Sequence, residues 1–310
     1  MTQTFLAGAK GEKPRSDLRV KYTLSKKPLS ISVKSTVSRL FGKSIKHQVE
    51  KVCEDLHVRS GTIKIEDFGA LPFVIAARLE AVVKKAHPNI KQESLKKIKD
   101  FCMYASSSDR FRRSRLYLPG NQSKLMLNAG IHKPDCIILD LEDSVSPSEK
   151  EDTRYIVRNA LRSLDFFGAE RMVRINQGAM GLTDLEFVVP HNVHLILIPK
   201  VESANELQIA DKKIAEISEK CGRKTPVFLM PIIESARGVL KALEIAEASP
   251  NIVALAIGLE DYTADLGVQR TDDGKESLFA RSMIVNAARA AGIQAIDTVY
   301  SDVDNEIGLR

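Results

Sequence analysis

From Ser35 to His57 the apolar residues Val37, Leu40, Phe41, Ile45, Val49, Val52, Cys53 and Leu56 recur at three- and four-residue steps, which predicts an amphipathic helix. Before it, residues 1–30 are polar and punctuated by Gly8, Gly11, Pro14 and Pro28, with only short strand-like runs such as Leu18 to Tyr22. Beyond it, Thr62-Ile-Lys-Ile-Glu66 alternates as a half-buried strand does, and Asp67-Phe-Gly69 turns the chain. Pro72 to Ala86 reads as a short strand followed by a helix. Together these describe a compact α+β module over residues 1–88. The charged, loop-like stretch 89–112, with Ser106-Ser-Ser-Asp109 inside it, reads as a linker.

A different rhythm follows over residues 113–310. Seven short apolar runs, 115–118, 136–141, 172–175, 195–198, 227–233, 252–257 and 295–299, alternate with helical patterns. Buried strands spaced by helices predict a parallel α/β sheet. Polar and acidic residues stand just after the strand ends: Gly120-Asn121, Glu142-Asp143, Asn176, Lys200, Glu234-Ser235, Glu260-Asp261 and Ser301-Asp302. That is where a (β/α)8 TIM-type barrel keeps its active site. Closure needs eight strands and seven are counted before Arg310, so the expected barrel is C-terminally incomplete, with its eighth strand supplied from elsewhere or the chain a fragment.

Charge separates the two parts. The net charge of +6 conceals 21 Lys and Arg against 10 Asp and Glu in residues 1–100, and 25 against 30 in residues 101–310. The basic half has no compact lysine and arginine block, and the chain has no tryptophan, so a solvated basic surface is expected rather than nucleic-acid binding. No run approaches the roughly 20 apolar residues of a membrane helix, and the N-terminus lacks a long apolar stretch, which predicts a cytoplasmic protein. Cys53, Cys102, Cys136 and Cys221 are too scattered for a disulfide framework or a zinc site. His47, His57, His87, His132, His191 and His194 fall mostly outside strand ends, and neither a Ser-His-Asp set nor a phosphate loop is present.

The motifs are more specific. Arg112-Arg-Ser-Arg-Leu-Tyr-Leu-Pro-Gly-Asn121, Leu139-Asp-Leu-Glu-Asp-Ser-Val145, Val173-Arg-Ile-Asn176, Ile198-Pro-Lys-Val201, Ile233-Glu-Ser-Ala236, Ile257-Gly-Leu-Glu-Asp-Tyr262 and Ile296-Asp-Thr-Val-Tyr-Ser-Asp302 occur in order over about 200 residues. In this set the chain resembles the HpcH/HpaI aldolase and citrate lyase beta-subunit family. Leu6-Ala-Gly8, Arg15-Ser-Asp17, Phe41-Gly42, Asp67-Phe-Gly-Ala-Leu71 and Ala77-Arg-Leu-Glu-Ala81 make the first module similar to the citrate lyase acyl carrier protein, the gamma subunit. That resemblance implies a serine esterified to a CoA-derived phosphoribosyl-dephospho-CoA group. Ser16 is the candidate, although the family pattern has two adjacent serines where this chain has Arg15-Ser16.

Cleavage of a β-hydroxy thioester needs a cation to hold the departing oxo acid, a positive group for its carboxylates, and stabilisation of the thioester enolate. A hard divalent cation favours a few carboxylates plus water and substrate oxygens. Glu234 and Asp261, at the ends of the fifth and sixth barrel strands, are placed to share one, unless they cap the helices that follow. The resemblance implies that these two bind Mg²⁺ directly, and that Asp140 with Glu142 or Asp143 holds its waters. Glu260 is an alternative to Asp261. Arg174 is the expected carboxylate clamp, with Arg113 and Arg115 as candidates for thioester-cofactor phosphates or for pairing with Glu142 and Asp143. Lys200 is expected to act electrostatically rather than as a Schiff base. The resemblance also implies an acidic residue from a C-terminal segment beyond Arg310, an acyl-transferase partner like the citrate lyase alpha subunit, and a homo-oligomer.

The expectation is therefore a carbon–carbon lyase that turns citryl thioester into oxaloacetate and acetyl thioester. A lyase for malyl-CoA or citramalyl-CoA, acting on free CoA thioesters, and a non-catalytic carrier or scaffold are the alternatives. A phosphoenolpyruvate-type phosphotransferase is disfavoured, because no phosphate-accepting histidine is placed at a strand end.

Overall fold

The computed structural model describes residues 3–9, 11, 14–300 and 304–309. Its first elements are strands β1 (Thr4–Gly8), β2 (Leu18–Pro28) and β3 (Ser30–Ser35), helix α1 (Ser38–Asp55), strand β4 (Ser60–Asp67) and helix α2 (Pro72–Ala86). There follow β5 (Arg115–Pro119), α3 (Ser123–Met126), β6 (Cys136–Asp140), α4 (Lys150–Ser163), β7 (Glu170–Arg174), α5 (Gly178–Val188), β8 (Leu195–Ile198) and α6 (Ala204–Cys221). The last are β9 (Phe228–Ile233), α7 (Ala236–Leu240), α8 (Ala242–Ala246), β10 (Ala254–Ile257), α9 (Leu259–Leu266), α10 (Leu278–Ala290), β11 (Gln294–Ile296) and α11 (Glu306–Leu309). Strands β5 to β11 are the seven expected from the apolar runs, and they lie side by side in sequence order in one sheet. No helix among the described residues is long and apolar enough to cross a membrane.

Contacts divide the chain into two compact units. The first comprises residues 1–104, 117–133 and 139–168, and the second residues 105–116, 134–138 and 169–310.

In the first unit, β1, β2, β4 and β3 form a sheet in that order, antiparallel except for the β3–β4 pair. Strand β3 bridges the polar stretch 1–30 and the helix expected from Ser35, where no element was expected. Its Ile31 and Val33 alternate with serines and a lysine, and two half-buried side chains are too weak a signal without the partner β4. Helix α2 is helical throughout, without the short strand expected at its start. Phe73 to Val83 is buried on every side, because α2 packs on β1, β2 and α1 and also against α4, so its period is erased.

In the second unit the core is a layer of strand side chains, including Ile138, Met172, Leu195, Leu197, Met230, Ile232, Ala254 and Ile296. Each large apolar side chain buried this way contributes on the order of 1.5–3 kcal/mol. A buried ion pair ties the segment before β5 to the start of β7. Arg112 donates from Nε and Nη2 to Glu170 at 2.7 and 2.8 Å, and its other N–H groups reach the carbonyls of Ser107, Ser108 and Arg110. Ser106 Oγ donates to the same carboxylate at 2.5 Å, so two fully buried charges keep a full set of partners.

Candidate functional site

Three of the expected residues meet in the second unit. Lys200 follows β8 with its backbone in the left-handed region, φ 52°, which a lysine adopts at a cost of about 1–3 kcal/mol. That turn aims its main-chain N–H at Oε2 of Glu234, 2.8 Å away, while its Nζ lies 3.6 Å from Oδ2 of Asp261. Glu234 comes directly after β9 and is only 8% exposed. It does not cap the next helix: Ser235 does, accepting from Gly238 N–H at 3.1 Å. Asp261 lies in the first turn of α9, half exposed, and Glu260 beside it is paired with Arg270.

Gly258 was not singled out from the sequence. A Cβ at this position would stand 2.4 Å from Oε1 and 2.8 Å from Cγ of Glu234, so only glycine leaves this carboxylate its place. A lone glycine after a strand carries no such message until its neighbour is known.

Among the described residues no three His, Cys, Asp or Glu side chains converge as a metal cluster. The carboxylates come as a pair, a donor set suited to a hard cation that keeps several waters, such as Mg²⁺. Arg174 ends β7 in register with Leu197 of β8 and is half-buried. Two residues on, Asn176 is fixed by two bonds, from N–H and Nδ2, to Asp184 Oδ2, both 2.8 Å.

Arg113 and Arg115 stand elsewhere. Arg113 precedes β5, is exposed, and pairs with Asp135 at 3.3 Å, which lies just before β6. Its guanidinium serves the N-terminal ends of strands, opposite to where the substrate-phosphate role placed it, and it pairs with neither Glu142 nor Asp143 in that contact. Arg115 opens β5 and donates from Nη2 to the carbonyl of Asp297 at 2.8 Å.

The remaining expected residues belong to the first unit. Asp140, 1% exposed at the end of β6, accepts from the N–H groups of Glu142 and Ser144 at 3.0 and 3.1 Å and from the Ser144 hydroxyl, which shapes the turn that follows. Glu142 is buried and Asp143 is exposed on that turn. Ser16 is half-buried, with φ 56°. Its N–H donates to Phe68 carbonyl at 3.0 Å, and Phe68 N–H returns the bond to Asp17 carbonyl at 3.0 Å. Asp17 is locked by Arg78 through Nε at 3.1 Å and Nη2 at 2.7 Å. On the other side, Ser123 Oγ donates to the carbonyl of Ser16 at 2.7 Å, a contact the sequence did not suggest.

Comparison with known proteins agrees with both halves. The family model for HpcH/HpaI aldolase/citrate lyase matches residues 113–310. The acyl-carrier model described as malonate decarboxylase delta subunit (MdcD) matches residues 5–86. Citrate lyase subunit beta of Haemophilus influenzae is 43% identical over 203 residues, 64% of this chain and 70% of that protein. Mitochondrial citramalyl-CoA lyase of Rattus norvegicus is 36% identical, covering 64% of this chain and 62% of that protein. Among solved structures, the citrate lyase beta subunit from M. tuberculosis complexed with oxaloacetate and magnesium matches with a TM-score of 0.51 at 29% identity, over 68% of this chain and 86% of that one. The chain therefore belongs to the HpcH/HpaI aldolase/citrate lyase family and is a carbon–carbon lyase.

Proposed function

We propose that this chain cleaves a citryl thioester, carried on its own N-terminal module, to oxaloacetate and acetyl thioester, with Mg²⁺ held by Glu234 and Asp261. The supporting observation is that Lys200 fastens both carboxylates, one through its backbone and one through its ammonium, with Gly258 leaving room beside Glu234. A bound cation supplies Lewis acidity to the substrate oxygens. Arg174 takes a carboxylate of the departing oxo acid in a forked pair. Lys200 adds positive charge at Asp261 without a covalent step. The substrate hydroxyl gives up its proton to water as its carbon becomes the carbonyl of the oxo acid and the carbon–carbon bond breaks. The electron pair of that bond passes to the thioester enolate, whose carbon takes a proton back from water to give the acetyl thioester, so one proton leaves the hydroxyl and one returns to carbon.

In this reading Ser16 bears the phosphoribosyl-dephospho-CoA arm. Its half-buried position in a loop braced on both sides suits a fixed attachment point. An alpha-subunit-like acyl transferase loads the arm, in a homo-oligomeric cytoplasmic complex. The test is intact mass and peptide mapping of protein from its own host, followed by oxaloacetate release with and without Mg²⁺. An adduct on Ser16 with Mg²⁺-dependent release supports the proposal. Turnover of free citramalyl-CoA or malyl-CoA by a chain unmodified at Ser16 replaces it with the second reading, which the likeness to citramalyl-CoA lyase favours. A chain that neither binds Mg²⁺ nor turns over any thioester is a scaffold.

A further inference from the structure

We infer that the N-terminal module is a seated carrier: residues 14–86 move as one body with α4, and Ser123 holds the Ser16 loop in one place. The inference deepens the carrier reading and rests on it only for the identity of the arm.

Helix α2 is the first reason. A module that swings freely needs a polar outer face on its helix, yet Phe73 to Val83 is buried throughout. What charge α2 carries there is already used. Arg78 turns inward to Asp17, and Glu80 turns to α4, where Arg158 donates to it from Nη1 at 3.1 Å and Nη2 at 2.7 Å, both side chains fully buried. Undocking would expose the apolar helix and break a buried pair together. Around that pair, Asn159 Nδ2 donates to Phe73 carbonyl at 3.1 Å and Lys85 Nζ to Asp152 Oδ2 at 2.7 Å.

The segment after α2 is fastened to the same helix. Arg158 Nη1 also donates to Glu93 at 2.8 Å, Arg162 Nε to Lys96 carbonyl at 3.0 Å, and Lys99 N–H to Arg162 carbonyl at 3.1 Å. Cys102 Sγ donates to Leu164 carbonyl at 3.3 Å. A chain bonded at three points to one helix and at a fourth to Leu164 just past its end is no slack tether, so tether length does not set the local concentration of the arm. An acyl group on Ser16 instead searches only the sphere of its own arm, from an origin fixed by Ser123. Ser123 is thus a positioning residue.

Nitrogen-15 relaxation on the full deuterated chain tests this, by comparing amides of residues 14–86 with those of α4. Equal tumbling times, with Ser16 and Asp17 order parameters near about 0.85, are expected. A tumbling time several-fold shorter for residues 14–86 overturns the seat. In Ser123→Ala the Ser16 and Asp17 amides loosen while α2 keeps its values; unchanged amides there overturn the role of Ser123. Relaxation is blind to loading, so a freely tumbling module with an adduct removes the seat and leaves the carrier reading intact, and a seated module without adduct does the reverse.

Discussion

The main-chain N–H of Lys200 points at Oε2 of Glu234 from a left-handed backbone position, with 2.8 Å between them. A turn that most side chains avoid is kept where it holds a nearly buried carboxylate in a set direction. The ammonium of the same residue faces Asp261, so the spacing of the two acids depends on one residue between them.

Glu234→Gln keeps an acceptor for Lys200 N–H and removes the charge. Mg²⁺ affinity is expected to fall at least about tenfold and turnover roughly a hundredfold or more, with the fold intact. Calorimetric titration with Mg²⁺ checks it. Parental affinity in the variant would take Glu234 out of the cation site.

Gly258→Ala separates the site from the scaffold. Its backbone needs no glycine-only conformation, but the new methyl meets Oε1 of Glu234 at 2.4 Å and its Cγ at 2.8 Å, so the whole side chain must shift. Weaker Mg²⁺ binding with a nearly unchanged melting temperature is expected. A variant equal to the parent in both would show that Glu234 tolerates the shift.

Glu80 makes the first unit acid-sensitive. Burial pushes its pKa up, but the Arg158 fork and Lys84 outweigh burial and hold it below the ordinary glutamate value. A carboxylate depressed in the folded state adds stability above its unfolded pKa, about 4.3, and loses it as pH falls through the lower folded value. Stability measured by denaturant should therefore drop below about pH 4, and Glu80→Gln should flatten that part of the profile. At neutral pH the single variant is expected to cost about 3–5 kcal/mol, because Arg158 stays buried, while Glu80→Leu with Arg158→Met recovers much of it. A pH profile identical in the variant would assign the acid sensitivity to other carboxylates.

The thiols should react unequally. Burial pushes Cys53 up to about 12, helped by Glu50 and Glu54, and burial with Glu170 pushes Cys136 up to about 12. Cys102 is buried and Cys221 exposed. Iodoacetamide at pH 8 is expected to add one label to the folded chain, at Cys221, read by mass spectrometry. A label at Cys53 or Cys136 would mean that its surroundings open.

The seven strands could be read from sequence because each is an apolar run bounded by polar strand ends, and burial on both faces of a parallel sheet enforces that composition locally. Glu234, Asp261 and Lys200 could be named because strand C-termini are where such sheets present their chemistry. The motifs by themselves also determined the family. Tertiary structure alone decided what those residues touch: the turn at Lys200, the space at Gly258, the use of Arg113 on Asp135, and the bond from Ser123 to Ser16. It also decided that α2 is one helix buried between its sheet and α4. Periodicity records only which faces of an element meet water. When every face is covered, or when a contact joins residues a hundred positions apart, the partner carries the information and no local pattern can contain it.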